Sequence, residues 1–147
     1  MVVRLLDSER DAAEWLRMRL ALFGDEDVAG QQEEMAAILA APAENGVFVA
    51  ERPFSGLAGF IEVGIRKYAE GCTTSPVAYL EGWHVDADYR RQGVGRALVA
   101  AAEAWARQHG YHEIASDTQL DNVVSLAGHL ALGYEEVERQ ICFIKKL

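Results

Sequence analysis

The segment that most restricts the fold is a strand-like run, Val77 to Val85. It passes through Asp88-Tyr89-Arg90-Arg91-Gln92-Gly93-Val94-Gly95-Arg96 into an amphipathic helix, Gly95 to about His109. A strand that reverses into a helix over so short a turn needs backbone freedom, and the two glycines supply it. The first turn of such a helix carries N–H groups without intrahelical acceptors, at the positive end of the helix dipole. That arrangement suits a phosphate, and Arg90, Arg91 and Arg96 add positive charge beside it. The junction predicts a β-turn-α unit that holds a pyrophosphate-bearing ligand.

The rest of the chain frames this unit. Val2 to Leu5 reads as a first strand, followed by a helix over Glu9 to Leu22 capped by Asp7 or Ser8. Ala12, Trp15, Leu16, Arg19 and Leu22 fall on neighbouring faces of that helix. After the acidic break Gly24-Asp25-Glu26-Asp27, a second helix covers about Gly30 to Ala41, with Met35, Ile38 and Leu39 inward. Gly46 to Glu51 and Gly56 to Tyr68 read as antiparallel strands joined by a Pro53-Ser55-Gly56 turn. Beyond the glycine junction, Leu98, Ala101, Ala102, Trp105 and Ala106 form the apolar stripe of the helix, with Glu103 and Arg107 as an exposed pair. Glu113 to Thr118 is a strand, Asn122 to Leu132 a helix and Tyr134 to Lys145 a final strand. Early antiparallel strands followed by βαβ crossovers imply an α/β fold: a central mixed sheet, mostly antiparallel, flanked by helices.

Bulk properties narrow the function classes. With 147 residues, half of them apolar, the chain fits one domain spanning 1–147 around a single core. No apolar run is long enough to cross a bilayer, and the start lacks the pattern of a signal peptide, so a cytoplasmic protein without a membrane partner is expected. Cys72 and Cys142 show no metal-ligand spacing, nor do His84, His109, His112 and His129; free thiols and no metal are expected. A net charge of −9 disfavours nucleic acid as a partner and draws cationic molecules.

Three phosphate-binding patterns compete for the glycine turn. A Walker A loop requires Gly-Lys-Ser/Thr, whereas Gly95 is followed by Arg96-Ala97. A dinucleotide fingerprint requires a third glycine where Leu98 stands. The third pattern fits: Arg90-x-x-Gly93-x-Gly95, after a strand and opening a long helix, resembles the acetyl-CoA signature of the GCN5-related N-acetyltransferase (GNAT) superfamily. The element order resembles that family too, as do Asn122 and the Gly133-Tyr134 pair that closes the last helix. The resemblance implies a GNAT-like acyl-CoA N-acyltransferase fold with acetyl-CoA as co-substrate. It implies contacts from Trp83, His84, Val85, Arg91, Gln92, Gly93, Val94, Gly95, Arg96 and Asn122. Many relatives carry a tyrosine in that helix as general acid; the matching place here, five residues before Tyr134, is His129. Protonation by His129, protonation by water and unassisted departure of the thiolate stand as alternatives, as does a histidine that only packs.

A narrower resemblance, to aminoglycoside 6'-N-acetyltransferases, rests on three segments. They are Tyr68-x-x-Gly71-Cys72-x-x-Ser75-Pro76-Val77-x-x-Leu80-Glu81-Gly82, Ala115-Ser116-Asp117-Thr118, and Leu132-Gly133-Tyr134-Glu135-Glu136-x-Glu138-Arg139. It implies that Glu81, Asp117 and Glu138 hold the ammonium groups of a cationic substrate, with Tyr68 against a sugar ring. Phe23 stands where relatives carry an aromatic residue, followed by the acidic Asp25, Glu26 and Asp27; Phe23 and Glu26 join the expected substrate site. Charge agrees, since carboxylates in otherwise apolar strands are costly unless paired or facing a cleft. The implied reaction is direct transfer of acetyl to the 6'-amine in a ternary complex, which is antibiotic resistance chemistry. Glu81 or Asp117 accepts the ammonium proton, and a backbone N–H near Trp83 or His84 stabilises the oxyanion. A β-bulge near Gly82 is expected to splay the strand for the pantetheine arm. Similar enzymes are homodimers, and the alternating final strand is a candidate for pairing across a two-fold axis. Two alternatives remain: a GNAT enzyme for another amine (a polyamine or a protein N-terminus), and a non-catalytic acyl-CoA-binding regulator.

Overall fold

Ten elements follow one another in a computed structural model that describes residues 1–24 and 26–147. They are strands β1 (Val3–Leu5), β2 (Gly46–Glu51), β3 (Leu57–Arg66), β4 (Val77–Val85) and β5 (Ile114–Ser116), helices α1 (Ala12–Phe23), α2 (Val28–Ala40), α3 (Val94–Gln108) and α4 (Val123–Ala131), and a 3-10 turn (Ala87–Tyr89) before α3. The strands form one sheet in the order β1-β2-β3-β4-β5. The first four pair antiparallel, and β5 joins β4 in parallel through the α3 crossover. A mixed, mostly antiparallel sheet flanked by helices is what the sequence pattern predicts.

The apolar residues of β3 run without alternation because both its faces are covered. On one face Phe60 and Val49 pack with Trp15 and Met18 of α1 and Met35 of α2. On the other, Ile61, Val63 and Leu80 pack with Leu98, Val99, Ala102 and Trp105 of α3. Gly59 lies in β3 because a Cβ there would stand 2.6 Å from the carbonyl of His84.

Several expected details are corrected. Helix α1 starts at Ala12 rather than Glu9, because Asp7 accepts from the N–H groups of Glu9 and Arg10 and so closes a separate turn first. Helix α2 starts at Val28 rather than about Gly30, because Asp27 caps it by accepting from Gly30 N–H at 2.9 Å. Leu39 is exposed, since α2 turns only its Gln31–Met35 side toward the core. Ala101 is only half-buried, and its neighbour Val99 takes the core position instead.

The largest difference is the final strand. Tyr134–Lys145 forms no strand here: after Gly133 the chain runs without ladder pairing, and Ile141, Phe143 and Ile144 are 74%, 91% and 90% exposed. The alternation is real, but an alternating segment becomes a strand only where a neighbour supplies backbone partners. Apart from the Tyr134 N–H bond to the His129 carbonyl, this segment meets the body through contacts such as Val137 against Gly71 and Ile141 near Leu120.

Candidate active site

The expected bulge is present. Glu62 pairs with Gly82 and Val63 with Leu80, so Glu81 is the extra residue of β4. The parallel pairing with β5 ends at the same level, at Leu80 and Ser116. Beyond it the outer edge of residues 82–85 has no strand partner among the described residues, and β4 and β5 splay apart. A bulge that bends its strand and frees one edge accounts for the gap.

The turn after β4 is fixed by charge. Asp86 accepts from Arg17 at 2.9 Å, from Arg52 at 2.8 Å and meets His84 Nε2 at 3.1 Å, while its N–H donates to Ala58. Burial works against the charged form of Asp86, but Arg17, Arg52 and His84 outweigh it and hold the carboxyl well below its usual range. Arg52 also pairs with Asp88 at 2.7 Å, and Arg90 Nε donates to the Val85 carbonyl at 2.9 Å. The side chain of His84 is thereby committed to Asp86.

From this anchored start the backbone turns through two left-handed residues, Arg91 (φ 62°) and Gly93 (φ 83°). A non-glycine residue in that region costs on the order of 1–2 kcal/mol, so the Arg91 conformation is imposed by its surroundings. Among the described residues none of the N–H groups of residues 91–96 has a partner; the first helical bond runs from Ala97 N–H to Gly93. They form an anion-binding concavity at a helix N-terminus. Gly95 and Gly128 clear a slot for Trp83: a Cβ at Gly95 would stand 3.0 Å from the indole, and one at Gly128 3.3 Å. Trp83 Nε1 is the only buried side-chain polar atom among the described residues that lacks a hydrogen-bond partner. The unpaired β4 edge and the free N–H groups fit a pantetheine arm ending in a pyrophosphate. Asn122 accepts from Ser125 N–H at 3.0 Å and so caps α4 at the far side of the same opening.

The other side of the sheet carries the carboxylates. Arg66 forks onto Glu81 at 2.9 and 2.7 Å, and its guanidinium lies 3.5 Å above the Tyr79 ring. Tyr79 donates to Asp117 at 2.6 Å. Burial, reinforced by that bond, pushes the Tyr79 phenol upward, so it remains a donor at neutral pH. One chain of contacts therefore joins Glu81 to Asp117. Both are exposed and partnered, so neither is a bare carboxylate in the core: the bulge turns Glu81 outward and Asp117 lies just past the end of β5.

The sheet's buried carboxylate is Glu62, missed in the sequence. It is 4% exposed and is held by Arg19, itself 2% exposed, and by Trp15 Nε1 at 3.1 Å. Burial pushes Glu62 upward, while Arg19 and Trp15 oppose that shift. Arg19 also bonds Gln31 at 2.8 Å and Glu34, and stacks 5.0 Å over Phe23. The signal was present: an arginine on the apolar face of α1 and a glutamate inside the β3 apolar run demand each other. This cluster floors a cleft of about 390 Å³ whose walls include Phe23, Glu34, Ile38 and Glu81.

Of the other expected acceptor residues, Phe23 lines the cleft at the end of α1, and Glu26 is exposed in the α1–α2 connection. Tyr68 is exposed just after β3, and Glu138 is exposed on the extended C-terminal segment. Asp25 lies outside the described residues. Burial raises the Cys72 thiol, which disfavours a thiolate. Among the described residues no three His, Cys, Asp or Glu side chains come together as a metal site, and no helix is long and apolar enough to cross a membrane.

The profile of the Acetyltransferase (GNAT) family matches residues 11–134. The chain is 49% identical over 141 residues to an aminoglycoside N(6')-acetyltransferase type 1 of Klebsiella aerogenes, covering 93% of this chain and 91% of the relative. The crystal structure of the apo aminoglycoside antibiotic 6'-N-acetyltransferase AAC(6')-IG from Acinetobacter haemolyticus superposes with a TM-score of 0.92 at 36% identity, covering 100% of this chain and 99% of that one. The structure of AAC(6')-Iy in complex with the bisubstrate analogue CoA-S-monomethyl-acetylneamine superposes with a TM-score of 0.91 at 33% identity, covering 99% and 98%. The chain belongs to the GNAT acetyltransferase family and, within it, to the group of aminoglycoside 6'-N-acetyltransferases.

Proposed function

We propose that this protein transfers acetyl from acetyl-CoA to the 6'-amine of aminoglycosides by direct attack in a ternary complex. The observation that carries this reading is a coincidence in the sheet. The bulge that opens the β4–β5 splay also presents Glu81 on the opposite, carboxylate-bearing face. One side of the opening suits an acyl-CoA arm and the other suits a polycation rich in hydroxyls. The relatives named above, which carry these activities in their names, support the same pairing.

The roles follow from chemistry. The N–H groups of residues 91–96 bind the pyrophosphate, and the free β4 edge at residues 82–85 pairs with the pantetheine amides. An N–H near Trp83 or His84 stabilises the oxyanion as charge develops on the carbonyl oxygen. Glu81 and Asp117 bind the acceptor ammonium groups, and one of them takes the proton, directly or through water, before the amine attacks. Arg66 occupies Glu81 in this structure, so an incoming ammonium replaces one cation with another rather than meeting a bare carboxylate. Tyr68, Phe23, Glu26 and Glu138 border the sugar rings.

The protein works in the cytoplasm as a homodimer. Support for the dimer comes from the residues after Tyr134, whose alternating apolar side chains are exposed and whose backbone joins no strand among the described residues. Sedimentation should show a dimer that dissociates when Ile141 and Phe143 are replaced by Asp.

The decisive assay is thiol release from acetyl-CoA with kanamycin-type drugs bearing a free 6'-amine and with their 6'-hydroxyl analogues. Turnover with the first and none with the second is expected. Equal turnover with both, or turnover with spermidine alone, overturns the assignment.

A further inference from the structure

We propose that Ser116 and His129 form a proton relay that protonates the departing coenzyme A sulfur, with Ser116 as the catalytic donor and His129 acting through it. The proposal rests on the acetyl-transfer reading above. Ser116 is the last paired residue of β5, opposite Leu80, at the mouth of the β4–β5 splay. Its Oγ lies 2.8 Å from Nε2 of His129 on α4. The histidine is held from the other side, since Nδ1 lies 2.7 Å from the carbonyl oxygen of Ser125.

Ser125 Oγ also lies 3.3 Å from Nδ1, but the shorter contact, to the Ser125 carbonyl, assigns the ring nitrogens. A carbonyl oxygen only accepts, so Nδ1 carries a proton whether the ring is neutral or charged. Any gain or loss of charge occurs at Nε2, the atom bonded to Ser116. In the neutral ring Nε2 accepts the Ser116 hydroxyl proton. In the imidazolium Nε2 donates, and the Ser116 proton is free to point into the splay. Trp83 and Tyr134 clamp the ring edge-on, at centroid distances of 5.3 and 5.7 Å, and prevent it from turning. The Tyr134 hydroxyl is directed away, donating to Glu103 of α3 at 3.0 Å, and Asp117 is bonded to Tyr79 on the opposite face. Among the described residues no carboxylate is hydrogen-bonded to His129 itself.

The transfer balances as follows. The acceptor nitrogen forms its C–N bond, the thioester C–S bond breaks and the electron pair stays on sulfur. Ser116 gives its Oγ proton to that sulfur and takes the Nε2 proton of His129, leaving the imidazole neutral. His129 recovers a proton from solvent, and the ammonium proton of the acceptor leaves through the Glu81–Asp117 side.

The test combines turnover with a readout that needs no acceptor. Ser116→Ala is expected to lower kcat by about a hundredfold with the KM for acetyl-CoA unchanged, Ser116→Thr to recover most of it, and His129→Gln to resemble Ser116→Ala. Independently, ultraviolet titration of the thiol of coenzyme A bound to the protein is expected to shift upward by about one pH unit in Ser116→Ala, because the thiolate loses a hydrogen bond. Identical titrations in wild type and Ser116→Ala overturn the relay, as does a loss of coenzyme A affinity matching the loss of kcat. A wild type that acetylates no aminoglycoside overturns the acceptor assignment instead, and the thiol titration still decides the relay.

Discussion

The two halves of this site are built from different materials. The half we assign to the donor is backbone: N–H groups of residues 91–96, an unpaired strand edge and glycines that clear a slot for Trp83. The half we assign to the acceptor is side chain: Glu81, Asp117, Tyr79 and Arg66 from three strands or their ends, above a buried Arg19–Glu62 pair. A backbone site tolerates side-chain change but not a change of dihedral angle. A side-chain site has the opposite sensitivity, and so the donor can stay fixed while the acceptor changes.

The sharpest way to break this division is at the floor of the acceptor half. Glu62→Ala leaves Arg19 buried without its main partner and should destabilise the fold by about 3–5 kcal/mol in denaturant titration. The double replacement Arg19→Met, Glu62→Leu should recover much of that loss. If Glu62→Ala is neutral, the pair does not support the acceptor cleft. Next in size, Glu81→Ala and Asp117→Ala should each cut turnover by roughly a hundredfold while acetyl-CoA affinity stays put. Parallel loss of both would show that the halves are not separable.

Gly93→Val is the converse experiment. A β-branched residue at φ 83° is strained even though the space is open, so acetyl-CoA affinity should fall by about tenfold with acceptor KM unchanged. The smallest effect concerns acid. Asp86 has a lower pKa folded than unfolded, so its stabilisation is complete above the ordinary carboxylate range and fades as pH falls below it. Asp86→Asn should therefore flatten the acid limb of a stability–pH curve and change the neutral region through its lost ion pairs.

The same division explains what the sequence discloses. The ends of β2 and β4 and the glycine junction are read correctly because local pattern sets them: alternation or apolar runs bounded by turn residues, and two glycines where the chain reverses. The bulge is also legible, from a glycine beside a glutamate in an apolar strand. The Arg19–Glu62 pair escapes notice because its members stand 43 positions apart and each alone reads as an exception. The residues after Tyr134 mislead for a different reason: their alternation describes a strand, but only a neighbouring strand completes one, and none pairs with them among the described residues. His129 was legible as a position but not as a chemical state, since its two ring nitrogens are distinguished only by Ser125 and Ser116.

The bulge at Glu81 has a consequence for how such proteins diverge. Because strand geometry counts in twos, deleting that one residue would restore regular pairing with β3 and let β4 close against β5. Donor cleft and acceptor carboxylate would vanish in a single step. Substitution at this point can retune specificity, but loss of the position removes both substrates at once. The letter at position 81 sets how well the site works, while the number of letters around it sets whether there is a site.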